Sequence, residues 1–154
     1  MTNRPIQIYV DTCVFGGILD SEFSLATKRF FDLVRRGEYH LVVSSLVVLE
    51  LTYAPEPVRT LFADLQEYMT VVDPDEATLV LQRGYLEAGI LTPKWSDDAL
   101  HVALATTSRC DLIVSWNFKH FVNYRRIKLY GMVNVSQGYP PIDIYTPEEM
   151  LDDD

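Results

Sequence analysis

The sequence has few cysteines and no long hydrophobic run. Cys13 and Cys110 are the only cysteines among 154 residues, and their spacing is typical of neither a metal site nor a disulfide framework. No apolar run approaches the roughly 20 residues that span a bilayer, and the N-terminus lacks the pattern of a signal peptide. We therefore expect a cytoplasmic protein without membrane contact or structural zinc, in which both cysteines are buried apolar residues.

Basic residues are also scarce. Thirteen lysines and arginines face 22 aspartates and glutamates, which gives a formal net charge of -9. This balance argues against a general nucleic-acid coat protein, although a local basic stretch can still contact phosphates. The length suits one domain with a real core, and neither a repeat nor a Pro/Gly/Ser-rich linker interrupts it. We therefore expect a single domain over residues 1–154.

Strand-like and helical segments alternate along the chain. Short apolar segments predict strands at 6–10, 41–44, 69–73, 111–115 and 142–146. Helical spacing predicts helices at 24–37, 46–53, 56–68, 75–89 and 96–109. Strands separated by helices predict an α/β domain with a mostly parallel sheet.

Acidic side chains should meet at one edge of this sheet. Right-handed crossovers bring the carboxyl end of every strand, and the start of every following helix, to the same edge. Asp11 ends the first strand, Glu50 lies about one turn into the helix after the second, and Asp98 lies in the first turn of a later helix. Asn117 follows the fourth strand and should lie there too, whereas Asp111 opens that strand and should be structural.

Simpler interpretations of these residues stay open. Asp11 can cap a turn or helix, and Asp98 can stabilise a helix N-terminus through the macrodipole. Glu50 has apolar neighbours on both sides and lies too deep in its helix to cap it, so the alternative is a surface-facing glutamate. A divalent cation shared by Asp11, Glu50 and Asp98 explains all three at once.

Four segments together resemble the PIN domains, a family of metal-dependent nucleases that includes the toxin ribonucleases of bacterial toxin–antitoxin pairs. The segments are DTC at 11–13, the lone Glu50, DALHVALA at 98–105 and DLIVSWNFKHF at 111–121. The resemblance implies a three-layer α/β/α sandwich of about five strands in the order 3-2-1-4-5. It also implies metal-binding carboxylates at Asp11, Glu50 and Asp98. Many members have an aspartate where this chain has Asn117, whose amide can hold a metal or a water without adding charge.

The chemistry implied is phosphodiester hydrolysis with Mg²⁺ or Mn²⁺ as the cofactor. Such an ion would generate the attacking hydroxide and neutralise charge on the transition state. We expect Asp11, Glu50, Asp98 and Asn117 to be the catalytic set, and the Thr12 hydroxyl to help orient it. His101, three residues after Asp98, is a candidate for a supporting or phosphate-binding role.

Residues 118–130 alternate cations with aromatic rings. Lys119, Arg125 and Arg126 could bind phosphates, and the neighbouring rings could stack unpaired bases of RNA. The alternative is that the aromatics are core and the charges a solvated face. The expected partners are an RNA substrate, an antitoxin protein and a second copy of the chain in a homodimer.

Two other functions remain open. A catalytically weak or silent PIN-like domain would bind RNA or a protein partner, which the amide at Asn117 makes credible. In a receiver-like signalling domain, Asp73 would be phosphorylated and Ser115 would sense the phosphorylation. Such a domain needs an acidic pair at the first strand and a lysine after the fifth, and this sequence has neither.

Overall fold

A five-stranded parallel sheet forms the centre of the fold. A computed structural model of the chain describes residues 4–151. Its strands are β1 (Ile6–Val10), β2 (Tyr39–Ser44), β3 (Met69–Val72), β4 (Leu112–Val114) and β5 (Asp143–Tyr145). They are ordered β3-β2-β1-β4-β5, and every neighbouring pair is parallel. All five predicted strands are therefore present, and the predicted α/β fold and strand order are confirmed.

Seven α-helices accompany these strands in the described part of the chain. They are α1 (Thr12–Gly16), α2 (Ser24–Arg35), α3 (Ser45–Leu51), α4 (Glu56–Asp64), α5 (Glu76–Glu87), α6 (Ser96–Thr107) and α7 (Tyr124–Ser136). Five of them match the predicted helices, with bounds that differ by a few residues. Helices α1 and α7 are additional. No helix within residues 4–151 has the length and apolar character needed to cross a membrane.

The helices form one layer on each face of the sheet. Alternate residues of β1 point to opposite faces, so Ile8 and Val10 pack with α1, α2, α3 and α4, while Tyr9 packs with α5, α6 and α7. Both faces of the inner strands are covered, and for that reason β1, β2 and β4 are mostly apolar, whereas the edge strand β3 exposes its two central residues. The predicted three-layer α/β/α sandwich is confirmed.

The strand order reverses direction at β1, which pairs with β2 on one side and β4 on the other. The loops that leave β1 and β4 at their carboxyl ends therefore run to opposite faces and leave a crevice between them. Such a switch point is where open α/β sheets bind ligands. Asp11 immediately follows β1, and Ser115 immediately follows β4.

Candidate active site

Asp11 is a buried carboxylate at this switch point. It precedes α1, yet its side chain caps no backbone N–H there, and only 4% of the residue is exposed. The Cys13 thiol donates to Oδ1 at 3.0 Å and the Ser115 hydroxyl to Oδ2 at 3.0 Å. Within residues 4–151 no lysine or arginine pairs with it. The capping interpretation of Asp11 therefore fails, and a buried negative charge needs another explanation.

The environment of Asp11 makes its charge costly. Burial raises the pKa of the Asp11 carboxyl to about 6, and the negative charge of Asp98 adds to the rise, while His101 and the two hydrogen-bond donors oppose it. A carboxylate with this pKa is mostly ionised at neutral pH, yet its two direct hydrogen-bond donors, the Cys13 thiol and the Ser115 hydroxyl, are neutral. A nearby cation would remove that cost.

Cys13 serves Asp11 as a hydrogen-bond donor. Burial raises the pKa of the Cys13 thiol well above its ordinary value, and the Asp11 charge raises it further. A thiol in this state is a poor nucleophile. The geometry therefore gives no support to thiol catalysis.

Glu50 belongs to a hydrogen-bonded chain that enters the core. Its Oε1 accepts from the Thr12 hydroxyl at 2.7 Å and contacts His101 Nε2 at 2.9 Å. His101 Nδ1 lies 2.7 Å from the Tyr9 hydroxyl, which lies 2.8 Å from Ser44 Oγ. An ionised carboxylate can only accept, so we assign the hydrogen to Nε2, and Tyr9 then donates to Nδ1.

The charge of Glu50 is stabilised by these partners. Partial burial raises the pKa of the Glu50 carboxyl, but the hydrogen bonds from His101 and Thr12 outweigh burial and leave that pKa below its ordinary value. The side chain keeps 34% of its surface exposed. Glu50 is thus an ionised acceptor at the rim of the crevice, anchored to a helix of the opposite layer.

Asp98 is paired with a histidine as well. It lies in the first turn of α6, and its Oδ2 is 2.5 Å from Nδ1 of His120, a buried residue in the loop between β4 and α7. The His120 ring packs against Trp95, with the two ring centroids 4.6 Å apart. Asp98 is 22% exposed, so one side of the carboxylate is held and another reaches solvent.

The three predicted carboxylates share a neighbourhood without forming a ready-made metal cage. Asp98 and His101 both act on the pKa of Asp11, and Asp11 and Glu50 both act on that of Tyr9. However, no three histidine, cysteine, aspartate or glutamate side chains of the described residues are grouped closely enough to hold a metal ion. The donors suit Mg²⁺ or Mn²⁺ in kind, because both prefer oxygen ligands. Mg²⁺ in proteins usually keeps several waters and is bound by only one or two carboxylates, so it does not require a cage of three.

Asn117 shapes the loop after β4. Its Oδ1 accepts from the backbone N–H groups of Lys119 and His120 at 3.1 and 2.9 Å, and its own N–H donates to Ser115 Oγ at 2.9 Å. The amide oxygen is therefore engaged in a turn that positions His120 beside Asp98.

The basic and aromatic segment divides between core and surface. Phe121 and Tyr130 are 1% and 0% exposed and belong to the core, whereas Phe118 and Tyr124 are 51% and 74% exposed. The core alternative therefore holds for two of the four rings.

The cations of this segment have separate surroundings. Lys119 Nζ lies 5.4 Å from the centroid of the Trp95 ring. Arg126 Nη1 donates to the Lys119 carbonyl at 2.9 Å, and Arg125 and Arg126 line a cavity of about 280 Å³ with Leu129. Of these three cations, Lys119 is the one that contacts the Trp95 ring, against which His120 packs.

Asp111 lies at the other edge of the sheet. Its Oδ2 accepts from the Gln7 backbone N–H at 2.7 Å, and its own N–H donates to the Gln7 carbonyl. These bonds join the starts of β1 and β4, as expected of a structural residue.

Sequence reasoning missed three residues that the fold brings to the site. Ser115 and His120 bond directly to Asp11 and Asp98, and Tyr9 orients His101. Ser115 could have been found, because it ends β4 just as Asp11 ends β1. The sequence contains no comparable signal for His120, whose position depends on the turn at Asn117.

Comparisons with known proteins agree with this fold. VapBC2 from Rickettsia felis, crystallised bound to a DNA fragment from their promoter, is similar with a TM-score of 0.59 and 14% identity over 92% of this chain and 98% of that one. FitAcB from Neisseria gonorrhoeae is similar with a TM-score of 0.55 and 13% identity over 94% of this chain and 99% of that one. No family model and no curated protein matches the sequence. At these identities the likeness shows the fold, and the PIN-like fold implied by the sequence is confirmed.

Proposed function

We propose that the chain is a Mg²⁺- or Mn²⁺-dependent endoribonuclease that hydrolyses RNA phosphodiester bonds, and that it is the toxin of a toxin–antitoxin pair. The observation that carries the proposal is Asp11, a buried carboxylate with a raised pKa and no lysine or arginine partner in the described part of the chain. It lies at the switch point of a parallel sheet, where ligands bind. A divalent cation is the partner that best explains why a charge is kept there.

Asp11 and Asp98 would hold the ion, with Glu50 contributing through a water. When bound, the ion lowers the pKa of a coordinated water and neutralises charge on the phosphate. Glu50 remains ionised because His101 and Thr12 donate to it, so it would orient the attacking water as a hydrogen-bond acceptor. His120 fixes the orientation of Asp98 by donating from Nδ1.

The proposed RNA contacts begin at Lys119, which precedes His120 in the sequence. Its ammonium lies beside the Trp95 ring. Arg125 and Arg126 are further along the same surface and are proposed to bind phosphates. The antitoxin partner and the homodimer are proposed from the family resemblance, and the fold shared with VapBC2 and FitAcB supports the former.

A second candidate function is a catalytically silent domain that binds RNA or a protein. The engagement of Glu50 and Asp98 with histidines favours it, because each carboxylate already has a partner. The two functions differ in whether the protein cleaves RNA when a divalent metal is present.

Cleavage of a mixed RNA pool with Mg²⁺ or Mn²⁺ separates them. Wild type should cleave, and Asp11→Asn should lose more than the roughly 10- to 100-fold that loss of a supporting hydrogen-bond partner costs a metal site. Asp111→Asn is the matched control at the opposite edge and should retain cleavage. RNA that the wild-type protein binds but leaves intact would favour the silent domain. Cleavage by Asp11→Asn at the wild-type rate would contradict the proposed site.

A further inference from the structure

Three aromatic side chains, two of them in the loop that follows Ser115, contact one another and have no part in the proposed chemistry. The rings of Phe23 and Trp116 are stacked, with centroids 4.2 Å apart and planes inclined by 17°. The Phe118 ring centroid lies 6.1 Å from that of Phe23 and 6.3 Å from that of Trp116. We call these three side chains the aromatic platform.

The base of the platform is fixed by the fold. Trp116 is 8% exposed, and its indole Nε1 donates to Thr27 Oγ1 at 2.9 Å. Gly17 packs so closely that a Cβ built there would lie 2.9 Å from the same Nε1. Phe118, in contrast, is 51% exposed. The stacked rings of Phe23 and Trp116, fixed by packing around Trp116, thus lie against the solvent-exposed ring of Phe118.

The platform is joined directly to the carboxylate site. The Trp116 backbone N–H donates to the Cys13 thiol, which donates to Asp11. Phe118 is three residues after Ser115, so their Cα atoms are at most about 11 Å apart. The loop that carries the exposed ring therefore begins at the carboxylate site.

Charge differs around the platform. The cavity of about 230 Å³ beneath Phe23 and Trp116 is flanked by Glu22 and Glu148 as well as by Arg29, which disfavours a phosphate chain there. Lys119, in contrast, follows Phe118 directly in the sequence, and its ammonium lies near the Trp95 ring. A ring and then a cation on consecutive residues match the base and phosphate of a single strand.

We infer that Phe118 stacks an unpaired base of single-stranded RNA next to the phosphate held at the carboxylate site, with Phe23 and Trp116 as its rigid support. This inference rests on the proposed function and names a position for its substrate. Base stacking on an aromatic ring tolerates any base, so the platform contributes affinity and position without sequence specificity.

Binding of a single-stranded oligoribonucleotide that carries 2-aminopurine tests the inference. The measurement uses the Asp11→Asn chain with Mg²⁺, so that binding is observed without cleavage. We compare Phe118 with Phe118→Ala and Phe118→Tyr in that background, and use Tyr124→Ala as the control, since Tyr124 is a more exposed ring on α7. Anisotropy reports the affinity, and quenching of 2-aminopurine fluorescence reports stacking.

The platform predicts that Phe118→Ala weakens binding about 5- to 150-fold and removes the quenching, while Phe118→Tyr and Tyr124→Ala preserve both. If Phe118→Ala binds the RNA with unchanged affinity, or quenches the fluorescence as before, the stacking role of Phe118 is wrong. The proposed function would not be affected by that result. RNA that binds neither these chains nor the wild type, and that the wild type leaves uncleaved, would overturn both.

Discussion

Replacing Asp11 by asparagine should stabilise the metal-free protein at neutral pH. Burial raises the pKa of the Asp11 carboxyl from 3.8 to about 6, so the folded protein binds this proton more tightly than the unfolded chain does. The unfolded chain then holds fewer protons between these values, and stability falls as pH rises through them. Asp11→Asn removes the charge and with it this loss.

The size of the effect follows from the same shift. A rise from 3.8 to about 6 corresponds to about 3 kcal/mol at pH 7 and well under about 1 kcal/mol at pH 4. An asparagine must donate from its amide, and the Cys13 sulfur is a weak acceptor for that donation. We therefore expect a net gain of about 1 to 3 kcal/mol at pH 7, or roughly 2 to 12 °C in Tm for a chain of this length.

Urea unfolding in EDTA at pH 4 and pH 7 measures this gain. The difference between Asp11→Asn and wild type should be small at pH 4 and should appear as pH rises to 7. Asp111→Asn, which relieves no buried charge, should show no such gain. A variant that is equally or less stable than wild type at pH 7 would refute the electrostatic reasoning and favour a structural role for Asp11.

Three further predictions concern neighbouring residues. Glu50→Gln should be less stable than wild type above about pH 4.5, because the lowered pKa of Glu50 makes its ionised form the stabilising one. In urea unfolding this difference in stability should shrink as pH falls, and a difference that stays constant with pH would contradict the prediction. Gly17→Ala should cost about 1 to 3 kcal/mol in thermal unfolding, since its Cβ would lie 2.7 Å from Thr27 Oγ1; an unchanged Tm would show that the packing yields. Asn117→Ala should cost about 1 kcal/mol through loss of its turn-capping oxygen, while Asn117→Asp, which keeps that oxygen, should not; equal losses would show that the cap contributes nothing.

The fold could be predicted from the sequence because its strands are short apolar runs that alternate with segments of helical spacing. The segments around Tyr9, Val42 and Ile113 are buried on both faces of the sheet, and this leaves a signal that a surface strand would not give. Helix α1 was missed because its five residues are too few for a periodic pattern. Helix α7 was missed because residues 118–130 were interpreted by their charges and rings, although Asn123 provides an N-cap signal that its side chain fulfils.

The candidate site was readable only in part. Topology alone brings Asp11, Glu50 and Asp98 to one edge, since Asp11 follows β1, Glu50 lies in the short helix α3 after β2, and Asp98 lies in the first turn of α6. Their hydrogen-bond partners depend on side chains that come from distant segments, as His101 does for Glu50 and His120 for Asp98. No spacing in the sequence encodes such pairs, because packing between layers determines them.

Calorimetric titration with Mn²⁺ at pH 7 tests most directly whether this edge binds a divalent cation. Wild type should release heat beyond the buffer blank, Asp98→Ala and Asp11→Asn should lose most of the affinity, and Asp111→Asn should bind as wild type does. The absence of heat with wild type, or the same affinity in Asp98→Ala and Asp11→Asn as in wild type, would contradict the assignment of these carboxylates to a metal site.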